Sequence, residues 1–232
     1  MIDAVIFDWG GTLSVFADVD MEDMWRLAAR HLAPDREGEL CARLVQVEAD
    51  AWARIVVDQH SFTLAQLLAE ASAAVGLDVA AAVIEEASHR HLDAWTPHIR
   101  HDPDARDLLA ALKTRGIKVG LLSNTHWPRE FHEHFLDRDG LAAFIDARLY
   151  TSELPRSKPH PSAFLASLRA LGVADPDRAL FVGDRPYDDI HGAKSAGLKA
   201  VLRPNPLVPR YDVQPDATIG TLPELLPIVD SY

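Results

Sequence analysis

The sequence predicts an α/β fold built on a mainly parallel sheet, and three observations carry that prediction. Short apolar, β-rich runs recur and end in small polar or acidic residues; segments of helical spacing alternate with them beyond residue 96; and one long all-helical block interrupts the alternation directly after the first run. The chain has 232 residues, 48% apolar and 25% charged, an ordinary folding composition that argues against disordered, collagen-like or coiled-coil classes. Its 23 Lys+Arg against 35 Asp+Glu give a net charge of −12, with no basic stretch, so neither nucleic acid nor an anionic membrane surface is the expected partner. The one cysteine, Cys41, cannot form an internal disulfide, and no Cys/His group has zinc-finger spacing. No apolar run approaches the roughly 20 residues of a membrane span, and the N-terminus lacks a basic region followed by a long apolar core. A reducing, cytoplasmic setting is the expectation.

The first run, Ala4-Val5-Ile6-Phe7, stops at Asp8 and is followed by Gly10-Gly11, the pattern of a buried strand delivering a carboxylate into a tight turn. From about Asp18 the spacing becomes helical: Met21, Met24, Trp25, Ala28 and Leu32 share one face, then Leu40, Leu44, Val47, Ala51 and Ile55 another. Thr63 with Gln66 three residues on announces a third helix that ends near Gly76, and a fourth is expected over about Val79 to Ala94. Beyond Trp95-Thr96-Pro97, a helix capped by Asp102 with Pro103 at its first position runs to Gly116. Strands follow at Lys118–Ser123, Ala147–Tyr150, Ala179–Val182, Ala200–Leu202 and Ala217–Ile219, with helices at Pro161–Leu171 and Asp189–Ala196. Linkers near 15–18 and 95–99 thus set a helical unit, 18–95, apart from an α/β unit formed by 1–17 and 96–232.

Four polar clusters stand where apolar strands end: Asp8 with Gly10, Gly11 and Thr12; Ser123 with Asn124; Lys158 before Pro159; and Gly183-Asp184 followed by Asp188-Asp189. In a parallel sheet such ends share one edge and converge. A carboxylate able to attack, a hydroxyl and amides able to hold an anion, a lysine, and acids suited to Mg²⁺ are what phosphoryl transfer through an aspartyl phosphate requires.

The segments Val5-Ile6-Phe7-Asp8-Trp9-Gly10-Gly11-Thr12-Leu13, Val119-Gly120-Leu121-Leu122-Ser123-Asn124, Lys158-Pro159 and Phe181-Val182-Gly183-Asp184 resemble, in order, the four motifs of the haloacid dehalogenase-like hydrolase superfamily. The resemblance spans nearly the whole chain. It implies a Rossmann-like parallel α/β core with a small all-helical cap domain inserted between motifs one and two. It further implies that Asp8 is the nucleophile, Ser123 the phosphate-binding hydroxyl, Lys158 the bridging lysine and Asp184 a direct Mg²⁺ ligand. Asp188 or Asp189 matches the second acid of motif four, with Asp189, just before Ile190 and Gly192, the closer match.

One departure stands out. Two residues past the nucleophile, most phosphatases of this family carry the aspartate that protonates the leaving group; here that position is Gly10. General acid-base help is typically worth about 10² to 10⁴ in rate. Because the position ligates Mg²⁺ through its backbone carbonyl, the resemblance implies that Gly10 keeps the metal site and loses the proton donor. The expected activity is therefore Mg²⁺-dependent hydrolysis of a small-molecule phosphate ester whose leaving group needs little protonation, or one served by a substitute donor such as His126. The alternatives are a catalytically silent protein that holds a phosphorylated metabolite and, behind it, a dehalogenase, whose halide leaves unaided but whose family members lack the Gly183-Asp184 pair.

Trp9, Asn124, His126 and Trp127, each in or beside a motif, are candidates for lining the substrate pocket. Trp25 and Trp52 are expected in the core of the cap. His132-Glu133-His134 lacks zinc-protease spacing and reads as solvated surface, and His160 as a loop-shaping residue. Substrate choice is expected in residues 15–20 and in cap loops near 58–62.

Overall fold

The computed structural model describes residues 1–232. Strand β1 (Ala4–Phe7) is followed by four helices, α1 (Met21–Leu32), α2 (Glu37–Asp58), α3 (Leu64–Ala74) and α4 (Ala81–Trp95). The remainder alternates: α5 (Ala105–Thr114), β2 (Lys118–Ser123), α6 (Arg129–Arg138), β3 (Ala147–Tyr150), α7 (Pro161–Leu171), β4 (Ala179–Gly183), a π-helical turn Pro186–His191 leading into α8 (Gly192–Ser195), β5 (Lys199–Leu202), β6 (Ala217–Thr218) and α9 (Leu225–Asp230). The strands form one sheet in the order β3-β2-β1-β4-β5-β6, and every pairing is parallel. This is a Rossmann-like arrangement, in which the strand order reverses beside β1.

The apolar run of β1 explains why it lies in the middle. All four residues are buried, and alternate side chains serve the two faces: Val5 and Phe7 join a cluster with Leu108, Leu112, Phe135 and Leu225, while Ala4 and Ile6 join one with Phe164, Leu168 and Ala193. Helices α5, α6 and α9 thus cover one face, α7 and α8 the other. A strand apolar on both sides has no place at a solvated edge.

The helices between β1 and β2 pack around a third apolar cluster that includes Trp25, Leu40, Leu44, Leu67 and Leu92. Asp20 caps α1 by accepting from Glu22 N–H at 2.8 Å, and Thr63 and Gln66 exchange backbone and side-chain bonds at the start of α3. Leu44 is fully buried, so truncation to alanine costs about 2–5 kcal/mol.

Several boundaries and two elements differ from expectation. Helix α4 starts two residues late, and α5 starts at Ala105: the Asp102 carboxylate caps the preceding turn through Asp104 N–H and also accepts from Arg203 at 2.6 Å. Helices α6 and α9 are additions. Within α6, His132 is buried, with its ring stacked on Tyr150 at 4.6 Å and Nε2 bonded to Thr125, whereas His134 is exposed, so the solvated reading of 132–134 holds only for its last residue.

Candidate active site

The ends of the three central strands place the motif residues. Asp8 N–H donates to the Val182 carbonyl at 2.9 Å, extending the ladder one residue beyond β1 and holding the Asp8 carboxyl between β2 and β4. Behind it the Trp9 indole donates to His101 Nε2 at 3.1 Å, and His101 Nδ1 donates to Asp139 at 2.7 Å, so the imidazole tautomer and the turn are fixed together. Gly11 turns the chain at φ 79°; a Cβ there would lie 2.2 Å from Asp184 Oδ2, so a side chain is excluded by both backbone and space.

Lys158 is 1% exposed, and its Nζ donates to Asp8 Oδ1 at 2.6 Å and to Asp189 Oδ1 at 2.7 Å. Asn124 fixes the loop that carries it: the amide donates to the Lys158 carbonyl and its oxygen accepts from Lys158 N–H, both at 2.9 Å. Asp184, just beyond β4, accepts from Asn205 Nδ2 at 2.8 Å on Oδ2, while its buried Oδ1 has no partner. Asp189 Oδ2 accepts from Arg185 N–H at 2.9 Å, and a Cβ at Gly183 would meet Asp189 at 2.3–2.5 Å. Ligand oxygens of Asp8, Asp184 and Asp189 lie within 4.8 Å of one another. Asp188 turns away to pair with Arg185 at 3.3 Å, which separates it from its neighbour Asp189 in the cluster.

Burial and repulsion set the charges. Desolvation, opposed by the Lys158 ammonium and reinforced by Asp189 and Asp184, pushes the Asp8 carboxyl up to about 7. Desolvation, then Asp189, raises Asp184 to about 6. Lys158 is desolvated as well, yet Asp189 and Asp8 outweigh that and hold its ammonium above the ordinary lysine value. Three carboxylates facing one ammonium, with Asp184 Oδ1 unpartnered, form a hard-oxygen donor set suited to a divalent cation such as Mg²⁺.

The other expected site residues divide. Ser123 ends β2, the strand paired with β1, and is buried. Gly10 is exposed, and a Cβ built on it meets nothing within 4 Å. Asn124 holds Lys158 in place instead of facing a ligand, because both polar ends of its amide are taken. Trp9 is packed in the core, 4% exposed, with its edge against His132 at 4.5 Å; its indole N–H is consumed by His101, so it does not line an opening. Trp127 is half-buried between the sheet cluster and the helical cluster. His126 is 5% exposed and enclosed by aromatic rings, and burial, opposed by Glu48, lowers its pKa below the ordinary histidine value, which weighs against a role as substitute proton donor. Asn205 escaped sequence reasoning; it follows a proline in a loop after β5, with no periodic or motif signal.

The loop 58–62 docks on the segment that leads into Lys158. Ser157 N–H donates to the Gln59 carbonyl at 3.0 Å, Ser61 Oγ and Ser157 Oγ lie 2.9 Å apart, and Arg156 bonds the Asp58 carbonyl at 2.5 Å. Gln59 adopts φ 57°, the sole non-glycine residue in the left-handed region.

Residues 2–197 match the model of a haloacid dehalogenase-like hydrolase family. The chain is 36% identical over 124 residues to the phosphoserine phosphatase of Thermus thermophilus, covering 53% of this chain and 49% of that protein. It spans about half the length of the curated relatives it matches first. Among solved structures, a 2-haloacid dehalogenase from Pseudomonas syringae pv. Tomato is 26% identical with a TM-score of 0.73, covering 100% of this chain and 99% of that one. A HAD phosphatase from Thermococcus onnurineus is 25% identical with a TM-score of 0.67, covering 98% of each.

Proposed function

The chain belongs to the haloacid dehalogenase-like hydrolase family, and from that premise we propose that it is a Mg²⁺-dependent phosphatase acting on a small-molecule phosphate ester through an aspartyl phosphate on Asp8. The observation that carries the reading is the buried convergence of Asp8, Lys158, Asp184 and Asp189 at the carboxyl edge of the central strands. The helical unit of residues 18–95 acts as the cap over that edge, and 1–17 with 96–232 forms the core.

Asp8, Asp184, Asp189 and the Gly10 carbonyl would hold the cation, which supplies charge neutralisation to the phosphoryl oxygens. Lys158 and the Ser123 hydroxyl hold the phosphate and offset the repulsion between two anions. An Asp8 carboxylate oxygen attacks phosphorus; the P–O bond to the leaving group breaks, and the electron pair departs with the alkoxide. Water then attacks phosphorus, the acyl-phosphate bond breaks, and Asp8 regains its carboxylate with release of inorganic phosphate. No side chain at position 10 donates or takes a proton in either step, so leaving groups of low pKa are favoured. Trp127 and His126 lie at the junction of cap and core.

A dehalogenase reading draws on the missing proton donor and on the likeness to a 2-haloacid dehalogenase. It ranks second because an anion-expelling attack on carbon has no use for a three-carboxylate donor set. Hydrolysis of phosphate esters graded by leaving-group pKa, assayed with Mg²⁺ and with chelator and set beside halide release from 2-haloacids, decides between them. Chelator-sensitive phosphate release with a steep leaving-group dependence supports the proposal; halide release without metal refutes it.

A further inference from the structure

The helical unit contains a buried carboxylate with no lysine or arginine partner. Glu48, midway along α2, has a side chain 10% exposed. The Trp25 indole donates to its Oε2 at 2.7 Å and the Trp52 indole to its Oε1 at 3.3 Å. The nearest basic group is His126 Nδ1 at 3.9 Å, beyond hydrogen-bond length. Buried carboxylates ordinarily sit against a cation, because neutral donors satisfy the lone pairs and leave the charge uncompensated.

The surroundings are aromatic. His126 has Trp52, Phe62 and Trp127 at ring-centroid distances of 5.8, 5.8 and 5.9 Å. Both nitrogens of its imidazole are buried without a partner, as is Trp127 Nε1. Unpartnered buried polar atoms are rare in folded proteins, and a bound polar group is one thing that satisfies them. His126 also lies three residues beyond Ser123, at most about 11 Å of chain, and its carbonyl accepts from Leu64 N–H of α3 at 2.8 Å. The enclosure therefore sits where the helical unit meets the sheet edge.

These features together define what fits. The carboxylate has no lysine or arginine counter-charge, and ring faces attract a cation within about 6 Å. The 3.9 Å gap between Glu48 Oε1 and His126 Nδ1 is one that a nitrogen at about 2.8 Å from each would bridge. We infer that Glu48 and His126 receive the ammonium group of the substrate, so that the substrate class is an aminoalkyl phosphate with its phosphate at Asp8 and its primary ammonium under the cap. The inference rests on the phosphatase reading of Asp8.

The test is calorimetric titration of the full chain, with Mg²⁺, using phosphonates that cannot be hydrolysed. 2-Aminoethylphosphonate or 3-aminopropylphosphonate is expected to bind about tenfold or more tighter than propylphosphonate, the scale of one charge-assisted hydrogen bond. Glu48→Gln is expected to abolish that preference. Trp52→Leu, at a partly exposed position, is expected to reduce it and keeps the test usable if the glutamine variant does not fold. Equal binding of aminated and plain phosphonates by the unsubstituted chain overturns the inference, and so does an amine preference that persists in a folded Glu48→Gln protein. Failure of the phosphatase reading appears separately, as absent turnover of every phosphomonoester, and leaves this comparison readable.

Discussion

Replacing Gly10 with aspartate restores a carboxyl two residues beyond Asp8, and the structure sets what that change should do. Gly10 is exposed, its φ lies outside the left-handed region, and a built Cβ has open space for 4 Å around it. The variant should therefore fold within about 0.5 kcal/mol of the parent, as surface changes free of strain do. Gly11 next door offers no such freedom, since a Cβ there collides with Asp184. General acid catalysis contributes about 10²–10⁴ where the leaving group needs a proton. The gain in kcat should thus reach about 10²-fold or more for alkyl phosphates and be near nil for para-nitrophenyl phosphate, whose leaving group departs unprotonated. The assay is kcat against leaving-group pKa for parent and variant. A slope that flattens in the variant supports the account; a folded variant with parallel slopes refutes the idea that the missing group at position 10 limits the reaction.

Three further predictions follow from the geometry of the carboxylate cluster. Lys158→Met leaves Asp8 and Asp189 buried side by side without their cation, so unfolding free energy from urea denaturation should fall by about 3–5 kcal/mol, with Mg²⁺ restoring part of it. Asn205→Ala frees Asp184 Oδ2 from its anchor; Mg²⁺ affinity by calorimetry should weaken about tenfold, and an unchanged affinity would discount that anchor. Asp8 and Asp184 have folded values raised to about 7 and about 6, so their contribution to the metal-free fold is present below the ordinary carboxylate range and is lost as pH rises through 6 to 7. Buried His91, His101, His126 and His132, all lowered by burial, act oppositely as pH falls. The discriminating quantity is therefore the Mg²⁺-induced rise in Tm, which should grow from pH 5.5 to 8; a rise that shrinks over that range contradicts the assignment.

The central strands β1, β2 and β4 were legible because each is an apolar run closed by a turn signal, and a strand apolar on both faces has few places to go. Asp8, Lys158, Asp184 and Asp189 were legible as strand-end or loop polar residues in motif order, and the helical block by its 3.6-residue spacing and the Thr63–Gln66 cap. Helix α6 was missed because its sequence, Arg129–Arg138, is half charged, carries two further histidines and opens after Pro128 with no capping side chain. The pairing of Phe131 with Phe135 and of His132 with Leu136 was the signal available. Trp9 and Asn124 show another limit: adjacency to a motif residue does not fix which way a side chain points. A partner 92 positions away consumes the Trp9 indole, and one 34 positions away consumes the Asn124 amide. Asn205 is a tertiary contact with no local pattern at all.

The central claim is a covalent bond between Asp8 and phosphorus, and rapid acid quenching followed by peptide mass spectrometry observes it directly. Under single-turnover conditions with Mg²⁺ and para-nitrophenyl phosphate, a phosphoryl adduct should appear on the Asp8 peptide and decay as inorganic phosphate forms, and Asp8→Asn should show neither adduct nor turnover. Phosphate release without any adduct, from a chain in which Asp8→Asn remains active, would contradict the account.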